Sequence, residues 1–139
     1  MNLCQAVITN IVDGDTMDIV ARPWPGQKHE GRVRLTCRGQ AAVDAWEMRG
    51  RERPLGEVAT NFVRMELQGC EWVVVSIGDK RDNFGRLLAS IFYIPQCADM
   101  WTVLSSGMDL GARLIDKGHA TAYVRSMIDG PIMPVPADW

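Results

Sequence analysis

Two strand-like runs, AVITNIV (6–12) and MDIVAR (17–22), are joined by the four residues DGDT, and no other stretch limits the fold as tightly. Asp and Gly supply the backbone conformations that a tight hairpin turn demands, so the two runs pair with each other. A chain that opens in this way is committed to a sheet. After the polar turn GQKHEG, RVRLT (32–36) alternates basic and apolar residues as a third strand would. Pro54 in a first turn, then Leu55, Val58, Ala59, Phe62 and Met65 on one stripe, with Gly69 beyond the end, predict a helix of about four turns. EWVVVSI (71–77) and RLLASIFYI (86–94) read as strands around the polar turn GDKRDNFG, and DLGARLIDKG (109–118) reads as a second helix closed by Gly118.

Three strands, a helix, two strands and a helix is the order of an OB-fold. The expected fold class is therefore mainly β with helices (α+β): a five-stranded OB-fold barrel with one helix between strands three and four and another after strand five. With 139 residues, 47% of them hydrophobic, the chain can bury one core but hardly two. Residues 1–125 are read as one domain, and residues 126–139, with three prolines, as an irregular C-terminal tail.

Charge and cysteine usage exclude several functions. A formal net charge of −2 gives no whole-protein basic field, so any anion site must be local. Cys4, Cys37, Cys70 and Cys97 are far apart and form neither a zinc pattern nor a disulfide framework. His29 and His119 lack a partner pattern for a triad or a metal and are read as structural or surface residues. The longest apolar runs, WVVVSI and LLASIFYI, are strand-sized and too short to span a bilayer, and residues 1–20 lack the features of a secretory leader. The expectation is a cytoplasmic protein with no membrane partner.

The chemistry lies in VRLTCRGQAAVDAWEMRG (33–50) and in the turns of the barrel. An OB barrel lets the DGDT turn, the end of strand three and the turn before strand five converge, which gathers Asp15, Asp44, Glu47, Arg34 and Arg86. Two carboxylates in oxygen-only surroundings suit a hard cation, Ca²⁺ or another divalent ion, and a third can serve as general base for a water. Two arginines facing them offer bidentate donors to a phosphodiester and stabilise the charge of five-coordinate phosphorus. The set reads as metal-assisted phosphodiester hydrolysis. Plainer uses stand beside this one. DGDT alone is more often only a turn, Asp44 and Glu47 at i, i+3 are also ordinary surface carboxylates, and Arg86 can pair with Asp82 or Asp79. Arg49, Arg51 and Arg53 form either a solvated face or a contact to a nucleic-acid backbone.

VDGDT (12–16), VRL (33–35), VDAWE (43–47), DNFGR (82–86) and LGARLIDKGHATAY (110–123) occur in the order found in the staphylococcal nuclease, or thermonuclease, family. The resemblance covers residues 6–125 and implies the same barrel. It also implies that Asp15, Asp44 and the backbone carbonyl of Ala45 bind Ca²⁺, that Glu47 is the general base, and that Arg34 and Arg86 bind phosphate. DNA and/or RNA is the implied substrate, with Tyr123, Phe84, Trp46 and Arg49 as the residues placed to touch it. Base stacking is a common use of such aromatics.

The chain also departs from that family. Nine residues, Leu35 to Val43, separate Arg34 from Asp44, an insertion of about five; as a loop it leaves both in place, whereas an odd lengthening of the strand turns alternate side chains to the other face. In the second case Arg38 would have to stand in for Arg34. Trp46 replaces a proline, Phe84 a tyrosine, and the proline-containing tail a long final helix. Two functions follow, a metal-dependent endonuclease or a non-catalytic OB-fold module that binds nucleic acid or a protein partner, and a third, weaker one is a phage or mobile-element nuclease that trims nucleic acid during entry or packaging.

Overall fold

The protein is described from a computed structural model covering residues 2–22, 25–38, 41–82, 85–97 and 99–122. Strands β1 (Asn2–Asp13) and β2 (Thr16–Arg22) form the expected hairpin, with Asp13 opposite Thr16 across the Gly14–Asp15 turn. In β2, Met17, Ile19 and Ala21 are buried while Asp18 and Val20 are less so, the period of a strand with one face on a core. β3 (His29–Cys37) adds antiparallel to β2 and buries Val33 and Leu35.

β5 (Val73–Arg81) and β6 (Leu87–Tyr93) make a second hairpin, and β5 returns to pair with β1. Closure comes from a parallel pairing of β3 with β6, in which Val33, Arg34 and Leu35 stand opposite Leu87, Leu88 and Ala89. The ring β1, β2, β3, β6, β5 is thus a closed five-stranded barrel of the OB type. Met17, Ile19, Val33, Leu35, Val75 and Ile91 fill its interior.

Helix α1 (Arg53–Leu67) lies between the third and fourth barrel strands, as the sequence predicts. It is amphipathic in an unexpected sense. The side facing the barrel is Gly56, Ala59, Thr60 and Val63, whereas Leu55, Val58 and Met65 of the apolar stripe are 48%, 53% and 69% exposed. Small residues let the helix come close: a Cβ on Gly14 of the DGDT turn would sit 3.3 Å from the Ala59 Cβ.

Two further helices follow the barrel. α3 (Leu110–Asp116) is the expected one, capped by Asp109, whose side chain accepts from the Ala112 N–H. α2 (Met100–Ser106), capped by Asp99, is absent from the sequence reading, and Ser105 and Ser106 lie in its last turn. The short strands β4 (Ala41–Ala45), β7 (Met108–Asp109) and β8 (Ala120–Ala122) complete the sheet order, β4 pairing with both β3 and β8. Among the described residues no helix is long and apolar enough to cross a membrane. The expected tail 126–139 lies outside the described residues, as do Phe84 and Tyr123.

Candidate active site

The segment between Arg34 and Asp44 is built as an antiparallel strand pair. β3 runs on to Cys37, the chain reverses at Arg38, and β4 returns beside it with Thr36 opposite Ala42 and Cys37 opposite Ala41. Because β4 runs back along β3, its end arrives beside the strand it left. Arg34 therefore keeps its face, and its guanidinium donates to the Val43 carbonyl from Nη2 at 3.0 Å and from Nε at 3.3 Å.

Arg34 Nη2 also lies 3.8 Å from Asp15 Oδ2 and 3.7 Å from Asp44 Oδ1. Two carboxylates distant in sequence thus meet at one guanidinium. Asp15 is held from several sides: Oδ2 accepts from the Ala45 N–H at 3.0 Å, Oδ1 from the Thr16 hydroxyl at 2.9 Å, and its carbonyl from the Leu35 N–H at 2.8 Å. Asp44 is more open, with 48% of its side chain exposed. Burial pushes its carboxyl up; Arg34 works against this, and Asp15, Glu47 and Glu52 reinforce it.

Arg86 reaches the same cluster from the β5–β6 turn. Asp82 grips it twice, accepting from the Arg86 N–H at Oδ1 (2.8 Å) and from Nε at Oδ2 (2.6 Å). That leaves Arg86 Nη1 donating to the Thr16 hydroxyl at 3.0 Å. The expected partner Asp82 is real, and it aims the arginine at the site. Thr16 joins the two halves: it accepts from Arg86 and donates to Asp15.

Asp13 is the residue that sequence reasoning left without a role. Its Oδ1 is buried and has no hydrogen-bond partner among the described residues. Its carboxyl is pushed up to about 6, first by burial and then by the hydrogen bond and charge of Asp15, with Thr16 and Arg86 pulling the other way. The repeated aspartate of DGDT is the signal that was available. Two acids astride one glycine at a hairpin tip must project near each other.

Glu47 stands at the edge of the cluster, close enough to Asp44 to raise its pKa. Its Oε2 accepts from Arg49 Nε at 2.8 Å, and its N–H donates to Glu52 Oε2 at 3.1 Å. Arg49, 83% exposed at its side chain, is thus a partner of Glu47 in this state. Trp46 is 40% exposed beside it. The Glu47 backbone rests directly on α1, because a Cβ on Gly56 would come within 2.0 Å of the Glu47 carbonyl oxygen. Arg38, the substitute considered for Arg34, sits instead at the hairpin turn, its N–H donating to Asp109 Oδ2 at 2.7 Å.

As a cation site the cluster offers hard carboxylate oxygens and one buried oxygen without a donor, which fits a hard divalent ion. Among the described residues no three acids, histidines or cysteines stand close enough to cage a metal by themselves. A cation held by Asp15 and Asp44 would complete its shell with water or substrate oxygens. No protein-family model and no curated protein matches the chain.

Proposed function

We propose that this protein is a metal-dependent phosphodiesterase that cleaves DNA or RNA, in the manner of the staphylococcal nuclease family that its motifs resemble. The observation that carries the reading is the meeting of Asp15, Asp44 and Arg34 within 4 Å contacts, with Arg86 joined through Thr16, although these residues come from separate turns and strands. A plain hairpin turn does not require two arginines around its aspartate.

The roles follow from the donors. Arg34 and Arg86 present guanidinium N–H groups to the non-bridging oxygens of a phosphodiester, and they gain strength as charge builds on those oxygens. Asp15 and Asp44 would hold Ca²⁺ or another divalent ion, which would supply Lewis-acid chemistry at the phosphate. Glu47 accepts the proton of the attacking water, whose oxygen forms the new bond to phosphorus as the bond to the leaving oxygen breaks; the leaving oxygen takes up a proton from solvent water. To act so, Glu47 must leave Arg49. The pair is exposed and screened by solvent, so the release costs little. Trp46 offers a flat surface at the rim for a base.

The second reading, a non-catalytic module that binds nucleic acid or a protein partner, draws on the Glu47–Arg49 ion pair, which engages the general base. An assay separates the two. Labelled single-stranded DNA, duplex DNA and RNA are incubated with Ca²⁺, Mg²⁺ or chelator, with Glu47→Gln and Arg86→Ala alongside. Cleavage that needs the metal and collapses in both variants supports the enzyme; a folded wild type inert with every metal rejects it.

A further inference from the structure

β4 carries Asp44 and Ala45 into the site, yet among the described residues its backbone ladder with β3 is two residue pairs long, Thr36 with Ala42 and Cys37 with Ala41, with the Arg34 side chain on the Val43 carbonyl beside them. So short a hairpin needs outside support. The turn makes that need sharper, since Arg38 has φ 54°, a conformation that a side chain with a Cβ adopts at a cost.

The support comes from the start of α3. Asp109 divides its carboxylate: Oδ1 accepts from the Ala112 N–H at 3.2 Å and caps the helix, while Oδ2 accepts from the Arg38 N–H at 2.7 Å. One turn on, Gly111 lies against the hairpin itself. A Cβ there would sit 2.7 Å from the Thr36 carbonyl oxygen, 3.0 Å from Val43 Cγ2 and 3.1 Å from Cys37 Cα. On its other edge β4 pairs with β8, which follows α3 directly, Ala45 opposite Ala120. The inserted hairpin and the strand after α3 therefore hold β4 between them.

We propose that Asp109 is a positioning residue for the acid site: by fixing the Arg38 turn, with Gly111 allowing α3 to seat on the hairpin, it sets the register in which β4 presents Asp44 and Ala45 to Asp15 and Arg34. The consequence for catalysis rests on the nuclease reading above; the positioning does not. The Ala45 N–H, bonded to Asp15 Oδ2, reports the register without any metal.

The decisive variant is Asp109→Ser, whose hydroxyl can cap α3 but cannot also reach the Arg38 N–H. Its melting temperature should stay near the wild type, while the Ala45 amide, followed by NMR hydrogen exchange, should exchange about tenfold faster. Calorimetric titration should show Ca²⁺ binding about tenfold weaker, with kcat falling more than KM rises. Asp109→Asn, which keeps an acceptor of the same reach, should restore slow exchange in part, and Gly111→Ala should reproduce the fast exchange with the carboxylate intact. Wild-type exchange at Ala45 in Asp109→Ser overturns the proposal. Should that variant fail to fold, the contrast between Asp109→Asn and Gly111→Ala decides in its place, equal slow exchange in both overturning it. If the wild type neither binds Ca²⁺ nor cleaves, the nuclease reading falls alone, and exchange at Ala45 still settles the positioning.

Discussion

The Ala45 N–H donates to Asp15 Oδ2 across 3.0 Å, joining residues thirty apart in the chain. Asp15 thus has a structural duty besides its charge, and the two can be separated. Asp15→Asn can keep an oxygen facing Ala45 while losing the negative charge. It should remain folded and lose Ca²⁺ affinity by about a hundredfold or more in a calorimetric titration. Asp15→Ala removes both functions. It leaves the Ala45 N–H and the Thr16 hydroxyl without their acceptor, and urea unfolding should show a further loss of about 1–3 kcal/mol.

Asp13 makes stability depend on pH with a definite sign. Its folded pKa, about 6, lies above the ordinary 3.8, so the fold binds this proton more tightly than the unfolded chain does. The stabilisation is complete below pH ~4 and lost as pH rises through ~6. Asp13→Asn removes the titration. In metal-free urea melts the variant should gain on the wild type as pH goes from 4 to 7, by about 1–2 kcal/mol once solvent screening of a half-buried carboxyl is allowed for. A constant difference across that range would contradict the assignment.

Arg38 and Arg34 should separate cleanly. Glycine tolerates the positive φ at position 38 and retains the N–H that Asp109 accepts. Arg38→Gly should therefore leave cleavage unchanged and raise stability by up to about 1 kcal/mol. Arg34→Ala should abolish cleavage. Lysine at position 34 should recover little, since one ammonium cannot reproduce a forked donor.

Gly56 allows the Glu47 backbone to lie on α1. With a Cβ only 2.0 Å from that carbonyl oxygen, Gly56→Ala must displace the segment that bears Glu47, the proposed general base. kcat should fall by about 10²-fold or more, because small misplacements of a reacting group are costly. Ca²⁺ affinity, which the proposal places on Asp15 and Asp44, should fall far less. Equal losses in both quantities would mean that the helix, and not Glu47, had moved.

Much of the barrel was legible because each piece announces itself locally. DGDT fixes a hairpin, Pro54 and Gly69 bracket a helix, and the runs at 71–77 and 86–94 are apolar enough to be strands. The insertion was not, since CRGQAA carries no turn dipeptide that separates a bulging loop from a longer strand. Its answer, a hairpin, depends on Asp109, far along the chain. Arg34, Asp15 and Asp44 were anticipated as a group, and they do meet. Thr16 and Asp13 were not singled out because their importance lies in an orientation, a hydroxyl between Arg86 and Asp15 and a carboxylate oxygen without a donor. On α1 the apolar pattern marked the helix correctly, and Ala59 and Phe62 of the stripe pack on the core, yet Leu55, Val58 and Met65 are exposed and Gly56, Thr60 and Val63 share the buried face.

The parallel seam between β3 and β6 also orders events in time. It brings Arg34 opposite Leu88, and a buried contact of 2.6 Å between the Thr36 and Ser90 hydroxyls, fifty-four residues apart, secures it. Contacts of such sequence separation are slow to form, since a long loop must close before they give any return. The strand that bears Arg34 and the one that begins just after Arg86 share an edge only once the barrel is sealed. A nascent or partly unfolded chain therefore holds Arg86 apart from Arg34 and the two acids, which the β2–β3 and β3–β4 pairings already bring together, and recovery of the proposed phosphodiester cleavage during refolding should lag the appearance of helix and hairpin signals.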